Sequence, residues 1–191
     1  MGRAYDIVGD IHGELPALLE LGRELGYEVD NGWTHRERRF LIFLGDLVDR
    51  GQYSLEVAEL VRGLVAERRA LCIMGNHEYN LLAWNMRIPG YEEPKKSNRP
   101  TTQAIAANRD RWQPTLEFFR RLPIGIELPD LRLIHACWHR KSLDLVKPIL
   151  GQEILRIAAT VDDYEWVTAH AVLRSPFAEA GLVRASWRHK R

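Results

Sequence analysis

The sequence predicts an α/β fold, a sandwich of mixed β-sheets flanked by helices, and two observations carry that prediction. Three times an apolar, strand-length run passes through a short polar turn into a helix-length segment, the alternation that lays helices against a largely parallel sheet. The three turns are also the most chemically loaded parts of the chain. They read Gly9-Asp10-Ile11-His12-Gly13, Gly45-Asp46-Leu47-Val48-Asp49-Arg50-Gly51 and Gly75-Asn76-His77-Glu78. In open α/β sheets, ligands gather beyond the carboxyl ends of the strands, and all three turns are expected on that edge.

The elements follow in order. Ala4 to Val8 is the first strand, and leucines at 15, 18, 19, 21 and 25 mark the helix after it. Phe40 to Leu44 is the second strand, and Leu55, Ala58, Leu60, Val61, Leu64 and Val65 keep helical spacing behind its turn. Leu71 to Met74 leads into the third turn and a helix from about His77 to Trp84. Between Pro89 and Pro100 the chain is polar and interrupted by prolines, and it is read as a solvent-exposed linker. A helix near Trp112 to Arg121 comes next. Two short strands follow, Ile124 to Leu128 and Leu131 to Ile134, joined at Pro129-Asp130, and the second delivers His135. No internal repeat beyond this rhythm is present, and one domain over residues 1–191 is expected.

Composition narrows the function classes. Twenty-seven basic residues nearly cancel twenty-six acidic ones, so no overall field favours nucleic acid or an anionic membrane. The six tryptophans form no stripe with basic residues, which leaves a single-strand binding platform unsupported. No apolar run is long enough to span a bilayer. The first residues lack a signal-peptide pattern, and two cysteines, Cys72 and Cys137, suit a reducing compartment as free thiols. A cytoplasmic address follows as the expectation.

The motifs carry the chemistry. Asp10 and His12, two residues apart, share a face of an extended segment and can grip one cation. Asp46 ends an apolar strand, where a carboxylate can bridge two cations about 3.5 to 4 Å apart, the spacing of two-metal hydrolysis. Arg50 presents a planar fork that matches phosphate oxygens. Asn76 offers a neutral oxygen ligand. His77 beside it is free to act as an acid, since an imidazole titrates near working pH, and Asp49 is the candidate to orient it. Glu78 is read as a first-turn carboxylate favoured by the helix dipole.

With the later His135-Ala136-Cys137-Trp138, these blocks closely resemble the phosphoprotein phosphatase branch of the calcineurin-like metallophosphoesterases, which carry GDxHG, GDxxDRG and GNHE in this order. The likeness extends to a bacterial subgroup related to the phosphatase domain of polynucleotide kinase-phosphatases and to symmetrical dinucleoside tetraphosphatases. It covers roughly residues 4 to 147. The resemblance implies that Asp10, His12 and Asp46 hold a first divalent metal, and that Asp46, Asn76 and His135 hold a second. It also implies that His77 with Asp49 protonates the leaving group while Arg50 binds phosphate. Manganese is the first expectation for both cations, with iron or zinc as alternatives.

One expected ligand is displaced. The family places a last metal histidine after a glycine on a late strand, and no Gly-His pair occurs here. His170, after Trp166-Val167-Thr168-Ala169, is the candidate at a plausible distance, and His139 is a second. The pattern fades after about Val161, so the C-terminal part is expected to be atypical, as in a truncated chain. The leading reading is a serine/threonine-phosphatase-like phosphomonoesterase that uses a hydroxide held between two metals, acting on a phosphorylated protein, small molecule or nucleotide. Glu78, shared with the phosphatase branch, tilts the choice that way. The alternatives are a dinucleoside polyphosphate hydrolase and a degenerate, non-catalytic binding protein that lacks the final ligand.

Overall fold

The burial of the central strands on both faces explains the layering of this protein, whose computed structural model describes residues 4–128 and 131–136. Strands β1 (Tyr5–Val8), β4 (Phe40–Phe43) and β5 (Ala70–Cys72) form a parallel sheet in the order β1-β4-β5, with Tyr5 opposite Phe40 and Leu41 opposite Ala70. Successive side chains point to opposite faces. Leu41, Phe43, Ala70 and Cys72 therefore enter one large cluster, on the face covered by helices. Phe40, Ile42, Leu71 and Ile73 enter a second cluster with Ile126 and Leu133. A strand buried on both faces reads as a continuous apolar run, which is what Phe40 to Leu44 and Leu71 to Met74 display.

The helices are α1 (Leu15–Glu24), α2 (Ser54–Ala66), α3 (Asn76–Asn85), α4 (Arg99–Ala107) and α5 (Arg109–Arg120). Val57, Ala58, Val61 and Leu64 give α2 its buried stripe at helical spacing, and Leu116 and Phe119 do the same for α5. The hairpin of β6 (Gly125–Leu128) and β7 (Leu131–Ile134) is a separate antiparallel sheet that supplies the other layer, so among the described residues each sheet is purely parallel or purely antiparallel. A two-residue pair, β2 (Tyr27–Glu28) with β3 (Thr34–His35), fills the connection after α1. It rests on Asp6, whose carboxylate accepts from the Tyr27 hydroxyl at 2.8 Å and from Arg39 Nε at 2.7 Å.

One expectation is corrected. The segment read as a linker between Pro89 and Pro100 runs into a 3₁₀ turn at Lys96–Asn98 and then directly into α4. Pro100 lies in the first turn of that helix, where its missing N–H costs nothing and its fixed φ suits the helix. Proline read as a breaker was here a helix start. Asn98, Thr101, Thr102 and Ile105 of this stretch are buried.

Candidate metal centre

The loaded turns are held together backbone to backbone. Ile11 and His12 donate N–H bonds to the Asp46 carbonyl at 3.0 and 2.8 Å, Gly13 donates to Leu47 O at 2.8 Å, and Gly51 donates to His12 O at 2.7 Å. So close an approach leaves no room for side chains. A Cβ on Gly51 would stand 2.5 Å from the His12 carbonyl, and one on Gly75 would stand 2.2 Å from the Asp46 nitrogen. Gly13, Gly45, Gly51 and Gly75 are therefore contact surfaces between turns, whereas Gly9 faces open space. His12, Asp46, Asp49 and Arg50 all adopt positive φ, at 49°, 52°, 71° and 67°. Left-handed backbone at a non-glycine residue costs on the order of 1–3 kcal/mol and persists only where surroundings over-determine it.

Asp46 sits at the centre. Its Oδ1 accepts the backbone N–H of His77 at 3.0 Å, at the start of α3. Its Oδ2 lies 3.8 Å from His12 Nε2, 3.8 Å from His77 Nε2 and 3.4 Å from His135 Nε2. Asp10 Oδ2 is 3.7 Å from His12 Nε2, and Asn76 Oδ1 is 3.0 Å from His135 Nε2. The structure thus brings Asp10, His12, Asp46, Asn76, His77 and His135 into one cluster. Two overlapping groups, His12 with Asp46 and His77, and Asp10 with Asp46 and His135, each offer ligand atoms within 4.8 Å of one another.

The imidazoles are oriented for ligation. His12 Nδ1–H donates to the Val48 carbonyl at 3.0 Å and His135 Nδ1–H to the Leu44 carbonyl at 2.7 Å, which leaves each Nε2 facing the carboxylates. His12 Nε2 is buried with no hydrogen-bond partner. A buried imidazole nitrogen left bare among acidic oxygens is what a bound cation would satisfy, so the residues present fit a divalent metal. Burial opposes a charge on His135, yet the Asp46 carboxylate beside it lifts its pKa to about 9. Asp46 moves the other way: burial raises its pKa, but the hydrogen bonds from His135 and the His77 N–H outweigh it and hold the carboxyl low.

His77 Nδ1–H donates to Asp49 Oδ2 at 2.6 Å, and both side chains are buried. Burial disfavours the imidazolium, but the Asp49 bond and the charges of Asp46, Asp49 and Glu78 win, so its pKa is raised. Arg50 is exposed and makes no hydrogen bond or ion pair with another described residue. His139 and His170 lie outside the described residues, as does Cys137. Cys72 is free and buried inside β5, and burial pushes its thiol well up in pKa.

Sequence reasoning missed three residues and part of the task of a fourth. Glu78 lies in the first turn of α3, as read, and is fully buried there. Its Oε2 accepts N–H bonds from Asp46 at 2.8 Å and Gly75 at 3.1 Å, and its Oε1 accepts from Leu47 at 2.8 Å, so it props up the strained turn that carries Asp46. Burial and the nearby Asp46 charge push its pKa to about 7 while the backbone donors pull back. Asn98 and Thr101 both donate to the Asp49 carboxylate. Ser54 Oγ accepts the Asp49 N–H at 2.9 Å. The capping-box half in Gly75-x-x-Glu78 was a legible signal for Glu78; none existed for Asn98 or Thr101.

A parallel sheet whose strand-end turns gather carboxylates, imidazoles and an amide around a central aspartate, beside an exposed arginine, has the donor set of a divalent-metal centre. The family model described as Calcineurin-like phosphoesterase matches residues 5–179, and the chain belongs to that family. The match runs past residue 147, beyond the stretch the motifs mark. Among curated proteins, the chain is 34% identical over 138 residues to the asymmetrical bis(5'-nucleosyl)-tetraphosphatase PrpE of Oceanobacillus iheyensis, covering 69% of this chain and 54% of that protein. It is 47% identical over 74 residues to the protein of the same name from Halalkalibacterium halodurans, covering 38% and 30%. The chain spans about half the length, or less, of the curated relatives it matches. A cold-active protein tyrosine phosphatase shares the fold, with a TM-score of 0.60 at 16% identity, over 93% of this chain and 54% of that one. The two curated proteins are tetraphosphatases by name, the class held as an alternative at the sequence level. They carry the asymmetrical name where the motifs suggested the symmetrical enzymes. Glu78 could not discriminate, because it faces the Asp46 turn and no substrate.

Proposed function

We propose that this protein hydrolyses dinucleoside polyphosphates, splitting a bis(5'-nucleosyl) tetraphosphate asymmetrically. The observation that carries the reading is the likeness to tetraphosphatases of that name, over 138 and 74 residues. A cavity of about 540 Å³ beside the motifs supports it, since its walls include Arg50, Gln52, Ser54, Asn108 and Trp112. That volume falls in the range of small-molecule sites, and the mixture of one aromatic with several polar groups suits a nucleoside.

In this reading Asp10, His12 and Asp46 hold one divalent cation, and Asp46, Asn76 and His135 hold the other; mixed carboxylate, imidazole and amide donors suit manganese, iron or zinc. The cations, when bound, supply Lewis acidity toward phosphate oxygens and lower the pKa of water. Arg50 pairs with non-bridging phosphate oxygens and balances the charge that grows on them. Water adds its oxygen to phosphorus as the P–O bond to the leaving phosphate breaks. His77 gives its Nε2 proton to that departing oxygen, and Asp49 keeps the ring turned so that Nε2, not Nδ1, faces the reaction.

Product analysis tests the proposal. With diadenosine tetraphosphate and manganese, chromatography should resolve ATP and AMP in equal amounts. Two equivalents of ADP would make the cleavage symmetrical. Turnover of a phosphopeptide with the dinucleotide left intact would return the reading to a phosphomonoesterase.

A further inference from the structure

We propose that Asn98 and Thr101 are positioning residues for the acid pair, fixing the Asp49 carboxylate so that His77 presents its proton to the leaving group. The inference rests on the reading of His77 as that acid and adds what holds it in place.

Asp49 is fully buried, and its carboxylate is surrounded by donors. His77 Nδ1 and Asn98 Nδ2 both donate to Oδ2, and the Thr101 hydroxyl donates to Oδ1. Asn98 and Thr101 are 1% and 3% exposed, so neither bond competes with water. They stand three residues apart where the 3₁₀ turn enters α4, a spacing that points both side chains the same way.

A carboxylate held by one imidazole alone can rotate about its Cβ–Cγ bond and let the ring follow. Donors on both oxygens remove that freedom. The backbone at Asp49, with φ at 71°, is already pinned by Ser54, so the remaining side-chain rotation is what Asn98 and Thr101 control. Simple anchoring of α4 is the competing account. It is disfavoured by the chemistry of the contact: a helix could be anchored there by apolar groups, whereas two neutral donors directed at one buried carboxylate fix an orientation.

The experiment compares Thr101→Val, Thr101→Ser and Asn98→Leu with the parent in the manganese-loaded enzyme. Each is assayed on an alkyl phosphoester, whose leaving group needs a proton, and on a nitrophenyl ester, whose leaving group does not. Misplacing a catalytic group by about 1 Å can cost on the order of 10²-fold. Thr101→Val and Asn98→Leu should therefore lose roughly 10- to 100-fold in kcat on the alkyl ester with KM unchanged. They should lose less than about threefold on the nitrophenyl ester, and Thr101→Ser should restore the rate. In proton spectra of the zinc-loaded proteins, zinc being diamagnetic, the downfield His77 Nδ1–H signal, assigned by its absence from His77→Asn, should weaken in Thr101→Val and return in Thr101→Ser.

Equal losses on both esters, or none on either with the signal intact, overturn the proposal. So does loss of the fold in both Thr101→Val and Asn98→Leu by circular dichroism, which would make the two residues structural anchors. His77→Asn separates this outcome from failure of the parent reading: if it shows no preference for the nitrophenyl ester, the acid assignment itself falls.

Discussion

A single methyl group at Gly75 is expected to disable the site. Gly75 has φ −89° and ψ 167°, extended backbone that alanine adopts without strain. At such a position Gly→Ala ordinarily stabilises by about 0.4–1 kcal/mol, because it restricts the unfolded chain. Here the new Cβ would lie 2.2 Å from the Asp46 nitrogen, 2.3 Å from Asp46 Oδ1 and 2.6 Å from Glu78 Oε2. Ordinary contact begins at 3.4 Å, so the Asp46 turn must retreat by more than 1 Å, because the nearest atom is the Asp46 backbone nitrogen, which cannot swing aside as a carboxylate can. Overpacking of this kind costs roughly 1–3 kcal/mol, which reverses the usual sign and lowers Tm by about 2–12 °C for a chain of this size. The larger consequence is local. Asp46 loses its place among His12, His77 and His135, and activity should fall by at least about 10²-fold with weaker metal binding. Thermal unfolding, manganese titration calorimetry and steady-state assay of Gly75→Ala measure all three. A variant with parental activity and metal affinity, or one that melts higher, would show that the turns do not press on each other as described.

Two further outcomes are expected. Asp46→Asn keeps the volume but removes the shared carboxylate, so turnover should vanish while circular dichroism stays parental, and manganese stoichiometry should drop below two per chain; activity near the parent level would remove Asp46 from the centre. Asp6→Ala should cost about 1–3 kcal/mol at neutral pH, since it deletes a carboxylate bonded to Arg39 and Tyr27. The Arg39 hydrogen bond outweighs burial and holds the Asp6 pKa below its usual 3.8. A depressed carboxyl stabilises above its unfolded pKa and loses that contribution as pH falls through its folded value. The gap between parent and Asp6→Ala in urea melts should therefore be full at pH 6 and narrow below pH ~4; a gap constant down to pH 2 would contradict the pairing.

The proposed substrate differs from the leading sequence reading, and the structure shows why Glu78 does not choose between them. Glu78 was weighed as a mark of the phosphatase branch, yet it spends both oxygens on the backbone of Asp46, Leu47 and Gly75. A residue with that task belongs to any member that builds the turn this way, so it says nothing about what is cleaved. No helix among the described residues is long and apolar enough to cross a membrane.

The sequence by itself determined the strand, turn and helix rhythm, the parallel core and which carboxylate, imidazole and amide side chains stand at each strand end. These depend on local periodicity and on residues one to four apart, which a linear reading can count. The rest was decided by contacts across long stretches of chain. Glu78 meets Asp46 across 32 residues, and Asn98 and Thr101 meet Asp49 across 49 and 52. Neither asparagine nor threonine in a proline-rich polar stretch announces burial, and Pro100 reads as a break until the helix it starts is seen. Polar side chains acquire these roles only when folding removes water from around a carboxylate and leaves them as its remaining donors, and that is a property of the assembled interior.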